Sequence, residues 1–275
     1  GGKIDWAEFY KDYTGQKILL PTYAWQRERH WVKATKVLLT AGKSIHPLLG
    51  SKILSAVYKD DMLFESHISL DLFPYLNDHK IFEQPVMPAA AFMELAIAAG
   101  NQYFKTDKLY IYDLIIQNAL IITENKHKII QVFMDRNADF KIFSMIENDD
   151  EEPDWLLHVS GKLKINDKIE DLEDIDLSSL KSRLVEKLPV DTFYEKFRNH
   201  KIDYGPAFQG VEKIWQRTGE ALGRLRLKKE MISHGKQYYL YPAMLDAAMQ
   251  VSGILFPDID KAYIPIGADS LAFYE

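Results

Sequence analysis

The chain has 275 residues and 31.9 kDa, with 47% hydrophobic content and a formal charge of −6, which is ample for a core but lacks the concentrated Lys and Arg that general nucleic-acid binding needs. It contains no cysteine, so a disulfide framework, a thiolate nucleophile and a Cys-ligated metal are all excluded. No charged-then-apolar leader opens the sequence and the longest apolar run is too short to span a bilayer, so a cytoplasmic protein with no membrane association is expected.

Residues 1–44 hold an aromatic and basic run, Leu19 through Trp31, with neither helical nor strand period. It reads as an extended linker from something upstream. Ile45-His46-Pro47-Leu48-Leu49-Gly50 is a turn-like opening to the next region, and residues 52–58 and 63–70 read as two strands of a hairpin leading toward His79. From Ala89 to Ala99 only Glu94 is polar, which predicts a buried helix with Pro88 at its first position and Gly100 as its stop. The free N–H groups of Ala89 and Ala90 then carry the positive end of the helix dipole into the interior. His79 lies nine residues before Pro88. A ring there is either a solvated loop histidine or a general base facing an oxyanion site.

Four predicted strands follow, at 109–123, 129–135, 140–146 and 155–165, each β-branched or aromatic and bounded by polar turns. A long antiparallel sheet wrapped round one apolar helix, a hotdog, is the economical way to bury both. Residues 166–188 are charge-rich and read as a surface crossing between two halves. The pattern then restarts. A short helix from Pro189 to His200 precedes an irregular stretch at 201–210, strands at 211–217 and 221–227, and a second proline-led apolar helix from Pro242 to Phe256. The expected fold is therefore α+β, a double hotdog with halves at 45–165 and 189–275. In the second helix Asp246 and Gln250 stand one turn apart on one face. A carboxyl there is either held by a local hydrogen bond or buried at a cost. Only one strand, at 263–274, remains to wrap this helix, so residues beyond Glu275 are expected to complete the second sheet.

Three stretches taken together resemble the dehydratase domains of modular polyketide synthases. His79 and Pro88 fit that family's first motif, a histidine, then a glycine, then a proline; Tyr204-Gly205-Pro206-Ala207-Phe208 fits the second; Leu245-Asp246 with Gln250 fits the third. The opening His46-Pro47-Leu48-Leu49-Gly50 and the linker run also resemble the family's flanks, so the likeness covers nearly the whole chain. Two departures stand out: Glu83 replaces the glycine of the first motif, and Lys201 and Ile202 replace the Gly and aromatic that open the second.

The resemblance implies loss of water from a 3-hydroxyacyl thioester on the phosphopantetheine arm of an acyl carrier protein. His79 would be the base and Asp246 the acid, kept protonated by an apolar pocket. Tyr204 and Gln250, with Gly205 and Pro206 of their turn, would be supporting groups. The backbone at Glu83, Pro88, Ala89 and Ala90 would steady the thioester carbonyl. No metal and no cofactor is implied; the carrier protein, neighbouring synthase domains and a homodimer are the expected partners. The alternatives are a double-bond isomerase or cyclic-ether synthase, whose double-bond-shifting members lack the motif aspartate that Asp246 supplies here, and a non-catalytic hotdog scaffold for dimerisation and carrier docking.

Overall fold

The computed structural model describes residues 2–15, 44–56, 60–146, 153–166, 176–184, 186–256 and 263–273. The chain divides into two units, residues 1–38 and 39–275. In the first, α1 (Trp6–Phe9) is capped by Asp5, whose carboxylate accepts from the N–H groups of Ala7 and Glu8. The linker run from Leu19 to Trp31 lies outside the described residues.

The second unit opens with β1 (Ser51–Ile53) and β2 (Met62–Ile68), then β3 (His79–Ile81), β4 (Gln84–Pro85) and α2 (Ala89–Phe104). The predicted strands appear as β5 (Leu109–Ile116), β6 (Lys128–Met134), β7 (Asp139–Ile146) and β8 (Asp154–Ile165), of which β5 stops well before Thr123. Beyond them come α3 (Leu177–Arg183), β9 (Glu186–Leu188), α4 (Val190–Asn199), β10 (Ile202–Tyr204), β11 (Val211–Arg217), β12 (Glu220–Leu225), α5 (Lys229–Gly235), α6 (Pro242–Ser252) and β13 (Gly267–Ala272). Among the described residues no helix is long and apolar enough to cross a membrane.

The first sheet is antiparallel, in the order β1-β2-β6-β7-β8-β5-β13. Its inner residues, such as Phe64, Val132, Phe140 and Ile142, close over α2 in one core. Every residue of α2 from Ala90 to Gly100 is buried, as a helix with no polar face must be, since each large apolar side chain taken from water contributes about 1.5–3 kcal/mol. Two details of the expected helix change. Pro88 is the N-cap instead of the first helical residue, and the helix passes through Gly100 to end at Lys105, which takes the left-handed conformation at φ 58°. Gly100 serves packing: a Cβ there would sit 3.0 Å from Leu109 Cδ1 and 3.2 Å from Leu163 Cδ1, so its absence lets the helix lie close to β5 and β8.

The second half forms a smaller sheet, β12-β11-β9, against which α6 packs. The last strand does not join it. β13 pairs antiparallel with β5 at the edge of the first sheet, with Ile116 N–H donating to Ile266 O. The stretch expected to be irregular contains β10, which pairs with β3 in a third sheet, β10-β3-β4. Short strands such as these carry too few residues for a period of two to show in sequence. Through β3–β10 and β5–β13 the two halves fold as one unit.

Candidate active site

The pairing of β3 with β10 sets His79 opposite Tyr204, two residues from different halves of the chain. His79 is 6% exposed. Its Nδ1 lies 2.8 Å from the carbonyl oxygen of Val86, which can only accept, so Nδ1 carries a proton and is committed to that bond. Val86 N–H returns a bond of 3.0 Å to the His79 carbonyl, and the ring packs between Tyr204 and Phe208. A histidine held this way is not a solvated loop residue.

Nε2 points at Asp246 Oδ1, 3.9 Å away. That is too long for a direct hydrogen bond. Asp246 is buried on α6, one turn from Gln250, whose Nε2 donates to Asp246 Oδ2 at 2.8 Å and reaches the Phe208 carbonyl at 3.1 Å. Burial pushes the Asp246 carboxyl above its usual range; the neighbouring His79 and the Gln250 hydrogen bond pull it partly back. The carboxyl is thus biased toward the protonated acid. Burial likewise raises the Tyr204 hydroxyl well above its usual value, with the charge of Asp246 adding to the effect.

The segment after Tyr204 is a tight turn in which Phe208 N–H donates to the Gly205 carbonyl, with Pro206 at the corner, where its fixed φ suits the turn. Asp78, which belongs to none of the three motifs, fastens this turn to β3. Its carbonyl accepts from Gly205 N–H and its Oδ2 from Ala207 N–H, both at 2.7 Å. A Cβ at Gly205 would lie 2.6 Å from Asp78 Cγ, so the glycine is required by this contact. Nothing in the sequence marks Asp78 except its position next to His79 on a strand too short to recognise.

Both motif departures fall where glycine would be free of strain. Phe82 and Glu83, with φ of 49° and 66°, make the two-residue turn between β3 and β4, and both angles are those of a type I′ hairpin. Lys201 has φ 63°, and its carbonyl accepts from Phe82 N–H at 2.8 Å. The side chain of Glu83 is exposed to solvent. No side chain caps α2, so the N–H groups of Ala89 and Ala90 keep their donor capacity, whereas Pro88 has no N–H to offer and its carbonyl accepts from Ala91. A cavity of about 260 Å³ adjoins Asp246, Tyr204 and Gln250. Its walls come from α4, with Phe193 and Phe197, from α6, with Met249, and from Ile254 just beyond that helix.

Residues 46–145 match the family model described as polyketide synthase dehydratase domain, and residues 173–275 match that described as polyketide synthase dehydratase N-terminal domain. Among solved structures, the dehydratase domain from the CurF module of the curacin polyketide synthase superimposes with a TM-score of 0.78 at 32% identity, covering 84% of this chain and 84% of that one. The chain belongs to the polyketide synthase dehydratase family. The CurK dehydratase of the same system is 30% identical over 84% of each chain, with a TM-score of 0.77, and these likenesses carry the double-hotdog assignment to this dehydratase. Its sequence is also 30% identical to the pikromycin polyketide synthase component PikAII of Streptomyces venezuelae and 28% identical to the polyketide synthase GfsE of Streptomyces halstedii, over 92% of this chain in each case. The dehydratase spans 7% of the length of either relative.

Proposed function

We propose that the chain removes water from a 3-hydroxyacyl thioester carried on the phosphopantetheine of an acyl carrier protein and releases the 2,3-unsaturated thioester. The observation that carries this reading is the buried, 3.9 Å approach of His79 Nε2 to Asp246 Oδ1, with the other imidazole nitrogen committed to Val86. His79 takes the α-proton at Nε2. The electron pair of that C–H bond forms the Cα–Cβ double bond, the Cβ–O bond breaks, and Asp246 protonates the departing oxygen so that it leaves as water. Passage of the proton from His79 to Asp246 then restores both groups. Gln250 and Tyr204 hold the acid in orientation, the Gly205-Pro206 turn holds Tyr204, and the N–H groups of Ala89, Ala90 and Glu83 face the thioester oxygen as negative charge develops there. Two proton transfers by imidazole and carboxyl need no metal or cofactor.

Two solved CurK dehydratase structures are of inactive mutants, one with an aspartate changed to asparagine and one with a histidine changed to phenylalanine, which supports a pair of these residue types as the catalytic groups. The dehydratase would act beside neighbouring domains of a cytoplasmic synthase, as a homodimer. Incubation with a carrier-bound 3-hydroxyacyl chain, followed by mass spectrometry and NMR of the product, tests the reading. Loss of one water to a 2,3-alkene is expected; a shifted alkene or a cyclic ether would point to the variant chemistries, and unchanged substrate would overturn it.

A further inference from the structure

We infer that Glu94 is a positioning residue for the reaction: it sets the place of the Asp246 helix relative to His79 through the backbone that leads into that helix. The inference rests on the proposed roles of His79 and Asp246. Glu94 is the only polar residue between Ala89 and Ala99, it is 0% exposed, and the proposed proton transfers do not use it. A carboxyl buried among apolar side chains is costly unless each oxygen is bonded. Here both are. Oε1 accepts from His46 Nε2 at 2.8 Å and from Tyr239 N–H at 2.8 Å, and Oε2 accepts from Leu240 N–H at 2.7 Å.

These partners decide between a second catalytic pair and a clamp. His46 Nδ1 accepts from Leu49 N–H, so both ring nitrogens are occupied, and the ring is enclosed by Tyr238 and Tyr239. The pair is buried, and each of its polar atoms already has a protein partner. What the pair does hold is the backbone at Tyr239 and Leu240, immediately before Tyr241, the N-cap of α6. Asp246 lies in the next turn and a half of that helix. Glu94 therefore ties the start of the helix bearing the acid to α2, and His46 fixes the Glu94 rotamer from the opening turn. The 3.9 Å separation of His79 and Asp246 depends on α6 keeping this position, and a misplacement of about 1 Å at a reacting group can cost about 10²-fold in rate.

The test compares Glu94→Gln, His46→Ala and His46→Gln in the whole chain, with a 3-hydroxyacyl pantetheine thioester as substrate. Glutamine at 94 presents an amide N–H₂ to one backbone donor and loses that bond; glutamine at 46 keeps an N–H donor for Glu94. Expected is a fall of about 10–10²-fold in kcat for Glu94→Gln with KM changed far less, a smaller fall for His46→Ala, and recovery of most of kcat in His46→Gln. The titration of the Asp246 carboxyl, followed by ¹³C NMR, should shift in Glu94→Gln, because its proximity to His79 changes. That readout needs no turnover, so it judges the clamp even if Asp246 proves not to be the acid. A Glu94→Gln chain that melts earlier but keeps the wild-type kcat and Asp246 titration would overturn the inference. So would a Glu94→Gln chain that does not fold while His46→Ala folds with full kcat.

Discussion

At the scale of single residues, the site is defined by what each group has left to give. His79 spends Nδ1 on Val86 and keeps Nε2; Asp246 keeps a carboxyl that burial drives toward its protonated form. His79→Ala and Asp246→Asn should each abolish water loss in a chain that still folds, and the double variant should be little worse than either alone, because the two groups act in one step. Measured turnover near wild type in either would reject the assignment. Asp246 also has a stability signature. Its folded pKa is raised, so its contribution to stability is fully present below the unfolded value of about 3.9 and is lost as pH rises through the folded pKa. Asp246→Asn should therefore melt higher than the wild type near pH 7, and the difference should shrink as the pH is lowered toward about 4. Glu83 and Lys201 carry a different cost, since their left-handed backbone disfavours any side chain with a Cβ. Glu83→Gly and Lys201→Gly should each leave turnover within a few fold and raise the denaturation midpoint, with a net gain of up to about 1 kcal/mol after the added freedom of the unfolded chain is counted.

At the scale of elements, two close approaches hold the catalytic parts in register. The turn after Tyr204 lies against Asp78, and Gly205→Ala would press a methyl group onto that carboxyl and force it off Ala207 N–H. Loss of this buried-side bond should cost about 1–3 kcal/mol in chemical denaturation and lower kcat, since the same turn orients Tyr204 and Phe208 around His79. Helix α2 depends on Gly100 in the same manner. Gly100→Val would drive branched methyls into Leu109 and Leu163, and overpacking of that kind should destabilise by about 1–3 kcal/mol in the same assay. Both helices are legible in the sequence because an apolar run led by proline has one physical explanation, burial from its first turn. Their ends are less legible: Gly100 reads as a stop by composition, yet the packing of Leu109 and Leu163 makes it an interior residue.

At the scale of the whole molecule, acid stability is set partly by a histidine far in sequence from the site. His158 bonds Ser144 Oγ and the Asn118 carbonyl and stacks beside Phe92 of α2, and burial lowers its pKa below the usual value. The unfolded chain then binds more protons at this residue than the folded one, so stability falls as the pH drops below about 6.5 toward the folded pKa. Replacing it by glutamine should flatten the decline in melting temperature over that range. What the sequence by itself determined was the set of elements with a strong period or a forced composition: the two apolar helices, the long strands β6, β7 and β8, the three motifs, and with them the family. His79 and Asp246 stood out there because an ionisable group beside or within an apolar run is costly unless it has a use, and their roles, with that of Tyr204, came from the resemblance to the family's motifs. Only the tertiary structure decided how they meet. The pairing of β3 with β10 sets His79 against Tyr204, the edge pairing of β13 with β5 takes the last strand away from the second sheet, and Asp78 and Glu94 find partners more than a hundred residues distant. The physical reason is that local propensity is written in neighbouring residues, whereas a hydrogen bond to a distant backbone N–H uses a group that every residue but proline carries and so leaves no mark in the sequence.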